Sequence, residues 1–351
     1  MESKHIGVLT SGGDAPGLNA VIRAIVVKAI RHNHWQVTGL LEGWKGLTRE
    51  GRTRPIALPD VSGILQMGGT ILKTSRTNLV KKEGGLDEAL QRFKFLELDA
   101  VVSIGGEDTQ GVAHALSQKG IPIVGVPKTI DNDLMGTDYS FGFDTAVNTV
   151  MEAIDRVRTT TESHKRVMVV EVMGRHAGWI ALQGGIAGGA DAILIPERPT
   201  SIDEICALVK RRHDSGKDFS IVVAAEGAAV TDGKDGKDAM ITQSAGIDEF
   251  GHVRLGGIGQ VLAREIEKRT GYETREVMLG HVQRGGSPSA FDRYLCTRFG
   301  LYAVHLIEQG QVGRMVTFRD NKISSVPLAE VAGKTRTVPD DLFAEAAYFF
   351  G

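Results

Sequence analysis

The residues best suited to chemistry form the loop PKTIDND, residues 127–133, which directly follows the apolar run IPIVGV. This loop holds two carboxylates (Asp131 and Asp133), a hydroxyl (Thr129) and an ammonium group (Lys128). Phosphoryl transfer needs such groups, because a base must take the proton from the attacking hydroxyl and cations must offset the migrating charge. An ordinary solvated loop could hold the same residues, but its place directly after a buried strand favours a functional interpretation.

The segment VVSIGGEDTQG, residues 101–111, reads as a short buried strand, two glycines and a turn into a helix. An α/β protein commonly binds phosphate at such a point, against backbone N–H groups and the N-terminus of the helix. Glu107 and Asp108 nevertheless place two adjacent carboxylates where an anion should be bound. Why a phosphate site should carry these negative charges is the question that the segment raises.

A third segment, SGGDAPG at residues 11–17, lies between an apolar run and a helical pattern that starts at Leu18. Its glycines allow the backbone to bend and to approach a ligand closely, which favours phosphate binding over a plain tight turn. The segment matches neither GxGxxG nor GxxxxGKS/T, so the sequence argues against a dinucleotide-binding or Walker-type site here.

Cationic residues recur beside the glycine-rich segments: Arg76, Arg166, Arg175, Arg275, His281 and Arg284. Guanidinium groups bind phosphate through paired donors, so several of them suit a phosphorylated substrate. Any single arginine is more often an ordinary surface residue, but their joint placement near predicted strand ends favours binding. Ser287-Pro288, after two glycines, also has the form of a helix start that welcomes anions.

The elements that must position these loops are short β-branched runs that alternate with longer helical patterns. The predicted strands are Ile6–Thr10, Val101–Ile104, Ile121–Val126, Val167–Val172, Ala192–Ile195, Ile221–Ala225 and Val277–Gly280. The predicted helices are Leu18–His32, Leu86–Leu96, Gln110–Lys119, Asp144–Thr161, Ile202–Arg212, Ile258–Arg269 and Ser289–Gln309. Unbroken apolar runs fit strands covered on both faces, as in parallel sheets, and the alternation indicates an α/β fold.

Length, charge and cysteine content limit the classes of protein to which this sequence can belong. The 351 residues suffice for one large domain or two ordinary ones, and a net charge of −2 gives no electrostatic reason to expect nucleic acid or an anionic membrane as partner. Only Cys206 and Cys296 occur, which argues against a disulfide framework and favours a cytoplasmic location. No secretory signal is visible, and the hydrophilic stretch 227–257 is predicted to be a solvated surface insertion.

Taken together, five segments resemble the signature segments of the 6-phosphofructokinase family: GVLTSGGDAPGLNAVIR, IGGED, PKTIDND, EVMGRHAGW and GHVQRGGSP. They occur in the family's order and span Gly7 to Pro288. Loops of the GGD type alone are weak signals, because NAD kinases and lipid kinases carry related ones. The combination of PKTIDND with MGR and GHxQRGG is highly specific.

The resemblance implies two similar three-layer α/β domains with largely parallel sheets and an active site in the cleft between them. Residues 1–142 with 283–335 would bind the phosphoryl donor and Mg²⁺, and residues 143–282 with 336–351 would bind fructose 6-phosphate. Because the family shares active sites between subunits, we expect a homodimer or homotetramer.

The resemblance also implies roles for individual residues. Asp131 would be the base that deprotonates the 1-hydroxyl of fructose 6-phosphate, Arg175 would help to neutralise the phosphoryl group in flight, and Glu107 would hold Mg²⁺. The donor would be bound by Gly12, Arg76 and Gly106. The sugar phosphate would be bound by Thr129, Met173, Gly174, Arg175, Glu226, His281 and Arg284, with Arg166 and Arg275 reaching in from a neighbouring subunit.

Two positions bear on the identity of the donor. ATP-using members have glycine at the position of Asp108, whereas the pyrophosphate-using members resemble this chain there and at Lys128. A carboxylate about 4 Å from a phosphate repels it by roughly 4 kcal/mol at an effective dielectric near 20, on the order of a thousandfold in affinity. Asp108 would thus exclude a nucleotide's α-phosphate, while Lys128 would supply positive charge near the departing phosphate. We expect reversible transfer from pyrophosphate to fructose 6-phosphate, giving fructose 1,6-bisphosphate and phosphate in glycolysis and gluconeogenesis.

Three alternatives differ from a pyrophosphate-dependent enzyme in the class of protein or in the phosphoryl donor. An ATP-dependent member of the family is the first, since lysine at position 128 also occurs in ATP users. A non-catalytic sugar-phosphate sensor is the second, but the proposed base, metal ligand and cations are all present in the sequence. A dinucleotide-binding oxidoreductase is the third, and no GxGxxG follows the first predicted strand.

Regulation is the last expectation from the resemblance. The allosteric bacterial enzymes bind effectors between subunits through several basic residues, and Arg23 and Lys217 match that pattern. Val27, Met67 and Phe219 instead stand where the pattern has Arg, Arg and His. A site for phosphoenolpyruvate or ADP would be short of charge, so we expect little response to either.

Overall fold

The computed structural model describes residues 3–231 and 257–351, so the predicted surface insertion lies outside the described residues from position 232 to position 256. The chain divides into two compact units. Unit 1 comprises Met1–Thr145 and Arg284–Thr335, and unit 2 comprises Ala146–Gln283 and Arg336–Gly351. The chain therefore passes from one unit to the other more than once.

Strands and helices alternate along most of the described chain. The strands are β1 (His5–Thr10), β2 (Gln36–Leu40), β3 (Thr53–Pro55), β4 (Ala100–Gly105), β5 (Ile123–Pro127), β6 (Val167–Val172), β7 (Ala192–Leu194), β8 (Thr200–Ser201), β9 (Ser220–Ala225), β10 (Val230–Thr231), β11 (Thr274–Met278), β12 (Arg314–Arg319) and β13 (Lys322–Pro327). The helices are α1 (Leu18–Val27), α2 (Gly85–Phe95), α3 (Glu107–Gln118), α4 (Phe143–Ser163), α5 (Trp179–Ala187), α6 (Ile202–Asp214), α7 (Ile258–Thr270), α8 (Ala290–Glu308) and α9 (Asp340–Ala347).

Unit 1 is built on a seven-stranded sheet in the order β13-β12-β5-β4-β1-β2-β3. Its central strands are parallel, while β3 and β13 pair antiparallel at the two edges. Ile6 and Val8 of β1 enter one apolar cluster and Leu9 enters another, so the sheet is covered on both faces. This burial explains why the sequences of the central strands β1, β4 and β5 are mostly apolar.

Unit 2 is built on a four-stranded parallel sheet in the order β11-β6-β9-β7. Val167 and Val169 of β6 belong to an apolar cluster with α6 and α7. Met168 and Val170, which alternate with them, are also buried. The predicted fold class, α/β with largely parallel sheets in two units, is confirmed.

Several element boundaries differ from the sequence-based predictions. Helix α3 begins at Glu107, three residues before the predicted start at Gln110, because carboxylates are favourable in the first turn of a helix. The strand predicted at Val277–Gly280 is instead Thr274–Met278, an edge strand with mostly exposed residues, and Gly280 opens a 3₁₀ turn. Its polar pattern does not resemble a buried strand, which explains the error.

Other features of the described chain bear on its class. Cys206 and Cys296 are both free thiols buried in helices, α6 and α8. None of the helices in the described ranges has the length and apolar character that crossing a membrane would require.

Candidate active site

In unit 1, three of the predicted loops leave the same edge of the sheet. Residue Thr10 of β1 pairs with Ile104 of β4, and Gly105 of β4 pairs with Pro127 of β5. Since these strands are parallel, the segments SGGDAPG, GGED and PKTIDND all start at their carboxyl ends. Lys128 N donates to Gly105 O at 3.0 Å, which joins the second and third loops directly.

Two cations flank the glycine turn of the first loop. Lys128 Nζ donates a hydrogen bond to Gly13 O, and Arg284 Nη1 donates to Asp14 O at 3.2 Å. A Cβ at Gly13 would lie 2.8 Å from Arg284 Nη1, so the guanidinium packs where a side chain would otherwise be. Gly12 has φ 82°, a left-handed conformation that favours glycine. The turn therefore presents its backbone between two positive charges.

The segment that contains Arg76 is joined to the same turn. Gly12 N donates to Ser75 O at 3.2 Å, and Thr74 Oγ1 donates to Gly12 O at 2.6 Å. Arg76 follows directly and is exposed. A third cation thus lies next to the glycine turn in the chain segment that is bonded to it.

Lys128 is almost completely buried, with 3% of its surface exposed. Burial, helped by the charge of Arg284, lowers the pKa of Lys128 to about 8, against the opposing influence of Asp131, Asp14 and Asp133. The ammonium is therefore mostly charged at neutral pH and loses its proton at pH values only slightly above it. Its charge is available to an anion at the turn, and it is sensitive to pH.

The Thr129 hydroxyl bonds to both aspartates of the third loop, to the backbone of Asp131 and to the side chain of Asp133. Asp131 N donates to Thr129 Oγ1 at 3.1 Å, and a side-chain hydrogen bond also joins Thr129 to Asp133. Burial and the charge of Asp131 raise the pKa of Asp133 to about 7. Two neighbouring carboxyl groups with unequal surroundings can hold and release a proton near neutral pH.

The loop owes its shape to two residues to which the sequence reasoning gave no role. Asn132 has φ 51°, a conformation that Asn tolerates better than most residues, and its Nδ2 donates to Asp138 O at 3.1 Å. Ser140 N donates to Asn132 Oδ1 at 2.9 Å, and Ser140 Oγ donates to Thr129 O at 2.7 Å. An Asn between two Asp residues in a loop is the signal that could have indicated this turn.

Glu107 and Asp108 lie in the first turn of α3, where the helix dipole favours negative charge. Glu107 is partly exposed and its Oε1 accepts a hydrogen bond from Gly333 N at 2.9 Å, while Asp108 is exposed. Within residues 3–231 and 257–351, no three His, Cys, Asp or Glu side chains are grouped closely enough to hold a metal ion. Mg²⁺ usually takes one or two protein carboxylates and completes its shell with water and substrate phosphates, so Glu107 fits such an ion.

In unit 2, another set of predicted residues lies at the carboxyl edge of the four-stranded sheet. Met173, Gly174 and Arg175 follow β6, and Glu226 follows β9, with Glu226 N donating to Val172 O at 2.8 Å. His281 is in the 3₁₀ turn after β11. Leu279 N donates to Glu171 O at 3.0 Å, which brings that turn to the end of β6.

Arg166 and Arg275 lie at the opposite, amino end of this sheet. Arg166 directly precedes β6, and Arg275 pairs in register with Met168 near its start. Both guanidinium groups bind Glu273, at 2.8 Å and 2.6 Å. Because β6 extends roughly 20 Å between the two ends, these arginines do not join Arg175 within one chain.

Comparisons with known proteins identify the family. The phosphofructokinase family model matches residues 5–307. The chain is 54% identical to the pyrophosphate–fructose 6-phosphate 1-phosphotransferase of Amycolatopsis methanolica, over 99% of this chain and 100% of the relative. It is 51% identical to ATP-dependent 6-phosphofructokinase 3 of Streptomyces coelicolor, over 97% of this chain and 98% of the relative.

A solved structure gives the same result for the fold. The pyrophosphate-dependent phosphofructokinase from Marinobacter aquaeolei is similar with a TM-score of 0.81 and 25% identity, covering 96% of this chain and 86% of that one. The family resemblance expected from the five sequence segments is thereby confirmed. With a family match over most of its length and relatives above half identity, this chain belongs to the phosphofructokinase family and is a phosphotransferase.

Proposed function

We propose that the protein transfers a phosphoryl group from pyrophosphate to the 1-hydroxyl of fructose 6-phosphate, giving fructose 1,6-bisphosphate and phosphate. The observation that carries the choice of donor is the exposed carboxylate of Asp108 in the first turn of α3, beside the glycines that would receive the donor. A nucleotide's α-phosphate placed there would be repelled, whereas pyrophosphate ends one phosphate earlier. The names of the relatives that are 53–55% identical support the same donor.

The donor is bound by the loops of unit 1. Gly12 and Gly106 allow close approach of backbone N–H groups, and Arg76 and Lys128 supply positive charge. Lys128 is held in place by its hydrogen bond to Gly13 O, so little side-chain entropy is lost when an anion binds. Glu107 holds Mg²⁺, which when bound neutralises charge on the phosphates of the donor.

Proton transfer is assigned to Asp131. The oxygen of the sugar 1-hydroxyl attacks the terminal phosphorus, the bond from that phosphorus to the bridging oxygen breaks, and phosphate departs. The hydroxyl proton passes to the carboxylate of Asp131. Thr129 Oγ1 accepts a hydrogen bond from the backbone N–H of Asp131 at 3.1 Å, which fixes the turn of the loop that carries this carboxylate. Arg175 offsets the charge of the phosphoryl group in transfer.

The sugar phosphate is bound by residues of unit 2 and by Thr129 and Arg284. Met173, Gly174, Glu226 and His281 come from loops at one edge of the four-stranded sheet. Arg166 and Arg275 lie at the amino ends of the strands, so they serve the active site of a neighbouring subunit. Their separation from Arg175 along β6 supports a homo-oligomer with shared sites.

Initial rates with pyrophosphate and with ATP, measured side by side at saturating fructose 6-phosphate and Mg²⁺, test the proposal. We expect turnover with pyrophosphate, and formation of pyrophosphate from fructose 1,6-bisphosphate and phosphate in the reverse direction. Rapid turnover with ATP and none with pyrophosphate would leave the family assignment intact and refute the donor. A cytoplasmic location remains a prediction from the sequence.

A further inference from the structure

Two glutamines with no role in the proposed reaction are completely buried beside the two groups of loops. Gln110 in α3 and Gln283 in the 3₁₀ turn Gly280–Arg284 both have no exposed surface. Burying a primary amide is costly unless its groups are hydrogen-bonded, so its retention calls for a structural partner. In both cases the partners are backbone groups at the base of loops that carry proposed site residues. In Gln110 the Nε2 group makes these bonds, and its buried Oε1 has no hydrogen-bond partner within the described residues.

Gln110 joins the ends of two neighbouring strands in unit 1. Its Nε2 donates to Gly105 O at 3.0 Å and to Val126 O at 3.1 Å. Gly105 is the last residue of β4, directly before Gly106 and Glu107, and Val126 lies two residues before Lys128. One amide group thus fixes the spacing between the carboxylate loop and Lys128. Thr129, further along the same loop, is held separately by the Ser140 hydroxyl, which donates to Thr129 O at 2.7 Å.

The backbone opposite this amide is shaped to receive it. A Cβ at Gly125 of β5 would collide with Gln110 Oε1, so a larger residue there would displace the glutamine. Gly105 O accepts a second hydrogen bond from Lys128 N at 3.0 Å. The bonds of Gln110 and of Lys128 therefore converge on the same carbonyl at the base of both loops.

Gln283 makes the equivalent connection in unit 2. Its Oε1 accepts from Met173 N at 3.3 Å and its Nε2 donates to Gly280 O at 3.0 Å. Met173 opens the loop that carries Gly174 and Arg175, and Gly280 precedes His281. This amide fixes the spacing between two loops that the proposed function assigns to the sugar phosphate.

We infer that Gln110 and Gln283 are positioning residues that set substrate affinity separately, Gln110 for the phosphoryl donor and Gln283 for the sugar phosphate. The naming of the two ligands rests on the proposed function. The separation follows from the structure, since within the described residues every hydrogen bond of each amide goes to the backbone of its own unit. A loop that is misplaced by the loss of such a bond weakens binding of its own ligand.

The test replaces each amide by the similarly long, uncharged side chain of methionine, giving Gln110→Met and Gln283→Met. Steady-state kinetics of the full chain are measured with pyrophosphate varied at saturating fructose 6-phosphate, and then the reverse. We expect Gln110→Met to raise the KM for pyrophosphate about tenfold and to leave the KM for fructose 6-phosphate within about twofold. Gln283→Met should give the opposite pattern, so each variant is the control for the other.

Matched core variants separate positioning from loss of stability. Val112→Ala in α3 and Leu262→Ala in α7 remove buried apolar atoms at residues that are 2% and 1% exposed. Both should lower the melting temperature without changing either KM. Gly125→Ala disturbs Gln110 without altering it, and it should reproduce the kinetic pattern of Gln110→Met.

Equal changes in both KM values for either glutamine variant would overturn the inference. Unchanged KM values with a melting temperature lowered as in the core variants would overturn it as well. If the wild-type protein uses ATP instead of pyrophosphate, the proposed donor is wrong, but the KM for ATP then replaces that for pyrophosphate in the same comparison. Failure of the crossed pattern and failure of the donor assignment are therefore distinguishable.

Discussion

Alkaline pH should weaken use of the phosphoryl donor through a single group, Lys128. With its pKa at about 8, the ammonium is about nine-tenths charged at pH 7 and about one-tenth charged at pH 9. If only the charged form binds the donor productively, kcat/KM for pyrophosphate should fall about tenfold between these pH values. An ammonium about 4 Å from a phosphate contributes roughly 4 kcal/mol to binding at an effective dielectric near 20. Lys128→Met should therefore lower kcat/KM for pyrophosphate by up to about a thousandfold at pH 7.

The assay is the pH profile of kcat/KM for pyrophosphate, with fructose 6-phosphate saturating, for the wild type and for Lys128→Arg. Arginine keeps its charge throughout this range, so the pH profile of the variant shows only the pH dependence that comes from the substrate or from other residues. The wild-type profile should fall relative to that of the variant with a midpoint near pH 8. Superimposable profiles between pH 7 and pH 9.5 would refute the role assigned to Lys128.

Stability should change in the opposite direction over the same range, which separates the two effects. The pKa of Lys128 is about 8 in the folded protein, below the ordinary value of 10.5, so the unfolded chain binds more protons between these pH values. The contribution of Lys128 to the free energy of unfolding therefore rises as pH rises through this window. An alkaline loss of activity caused by Lys128 should occur without unfolding, which circular dichroism at each pH can verify.

Other expectations follow from the same site. Asp131→Asn should lower kcat by about a hundredfold to ten-thousandfold while the KM values change little, because it removes the base and keeps the shape; a kcat within about threefold of wild type would exclude Asp131 as the base. Gly13→Ala should displace the Arg284 guanidinium, whose Nη1 lies 2.8 Å from the new Cβ, and lower kcat/KM for fructose 6-phosphate, the ligand assigned to Arg284, about tenfold. Gly111→Ala in α3, where a Cβ meets nothing within 4 Å, should leave kinetics unchanged and stabilise the fold by about 0.5–1 kcal/mol. Equal kinetics for the two variants would contradict these roles. Saturation by fructose 6-phosphate should be hyperbolic and respond little to ADP or phosphoenolpyruvate, because Phe219 stands where the effector-binding pattern has His. The Phe219 ring lies against the guanidinium groups of Arg158 and Arg212, whose distances from the ring centre are 5.9 Å and 5.5 Å. A sigmoidal curve relieved by ADP would show the expectation to be wrong.

Strands β1, β4, β5, β6, β7 and β9, and the loops that follow them, could be predicted from the sequence because burial on both faces leaves a strongly apolar pattern. Strand β4 is buried along its whole length and apolar except for Ser103, and Gly105 and Gly106 mark its end. Glycines and charged residues after such strands locate the carboxyl edge of a parallel sheet, where ligands bind. The family segments then fixed the chemical interpretation.

Edge strands and long-range partners could not be predicted in this way. Strand β11 begins with the polar residues Thr274, Arg275 and Glu276 and is mostly exposed, because one side of it has no neighbour in the sheet. The sequence-based prediction therefore placed this strand too late in the chain. In the seven-stranded sheet, strands β12 and β13 on one side and β2 and β3 on the other were not predicted at all. Their pairing depends on residues far away in the chain, which local patterns do not reveal.

The connections inside the candidate site were also missed. Nothing in the sequence indicates that Glu273 binds both Arg166 and Arg275, or that Gln110 bonds the carbonyls of two different strands. These contacts arise when separate segments meet, so residue type alone leaves their partners open. Gln110, three positions after Glu107, reads only as an ordinary helix residue.

The most direct test of the central claim is the ratio of kcat/KM for pyrophosphate to kcat/KM for ATP, in the wild type and in Asp108→Gly. The claim is that the carboxylate of Asp108 excludes the α-phosphate of a nucleotide. The wild type should favour pyrophosphate strongly, and the variant should gain ATP use by up to about a thousandfold, the amount set by the repulsion of one charge about 4 Å away. An unchanged ratio in the variant, with the protein still folded, would contradict the account.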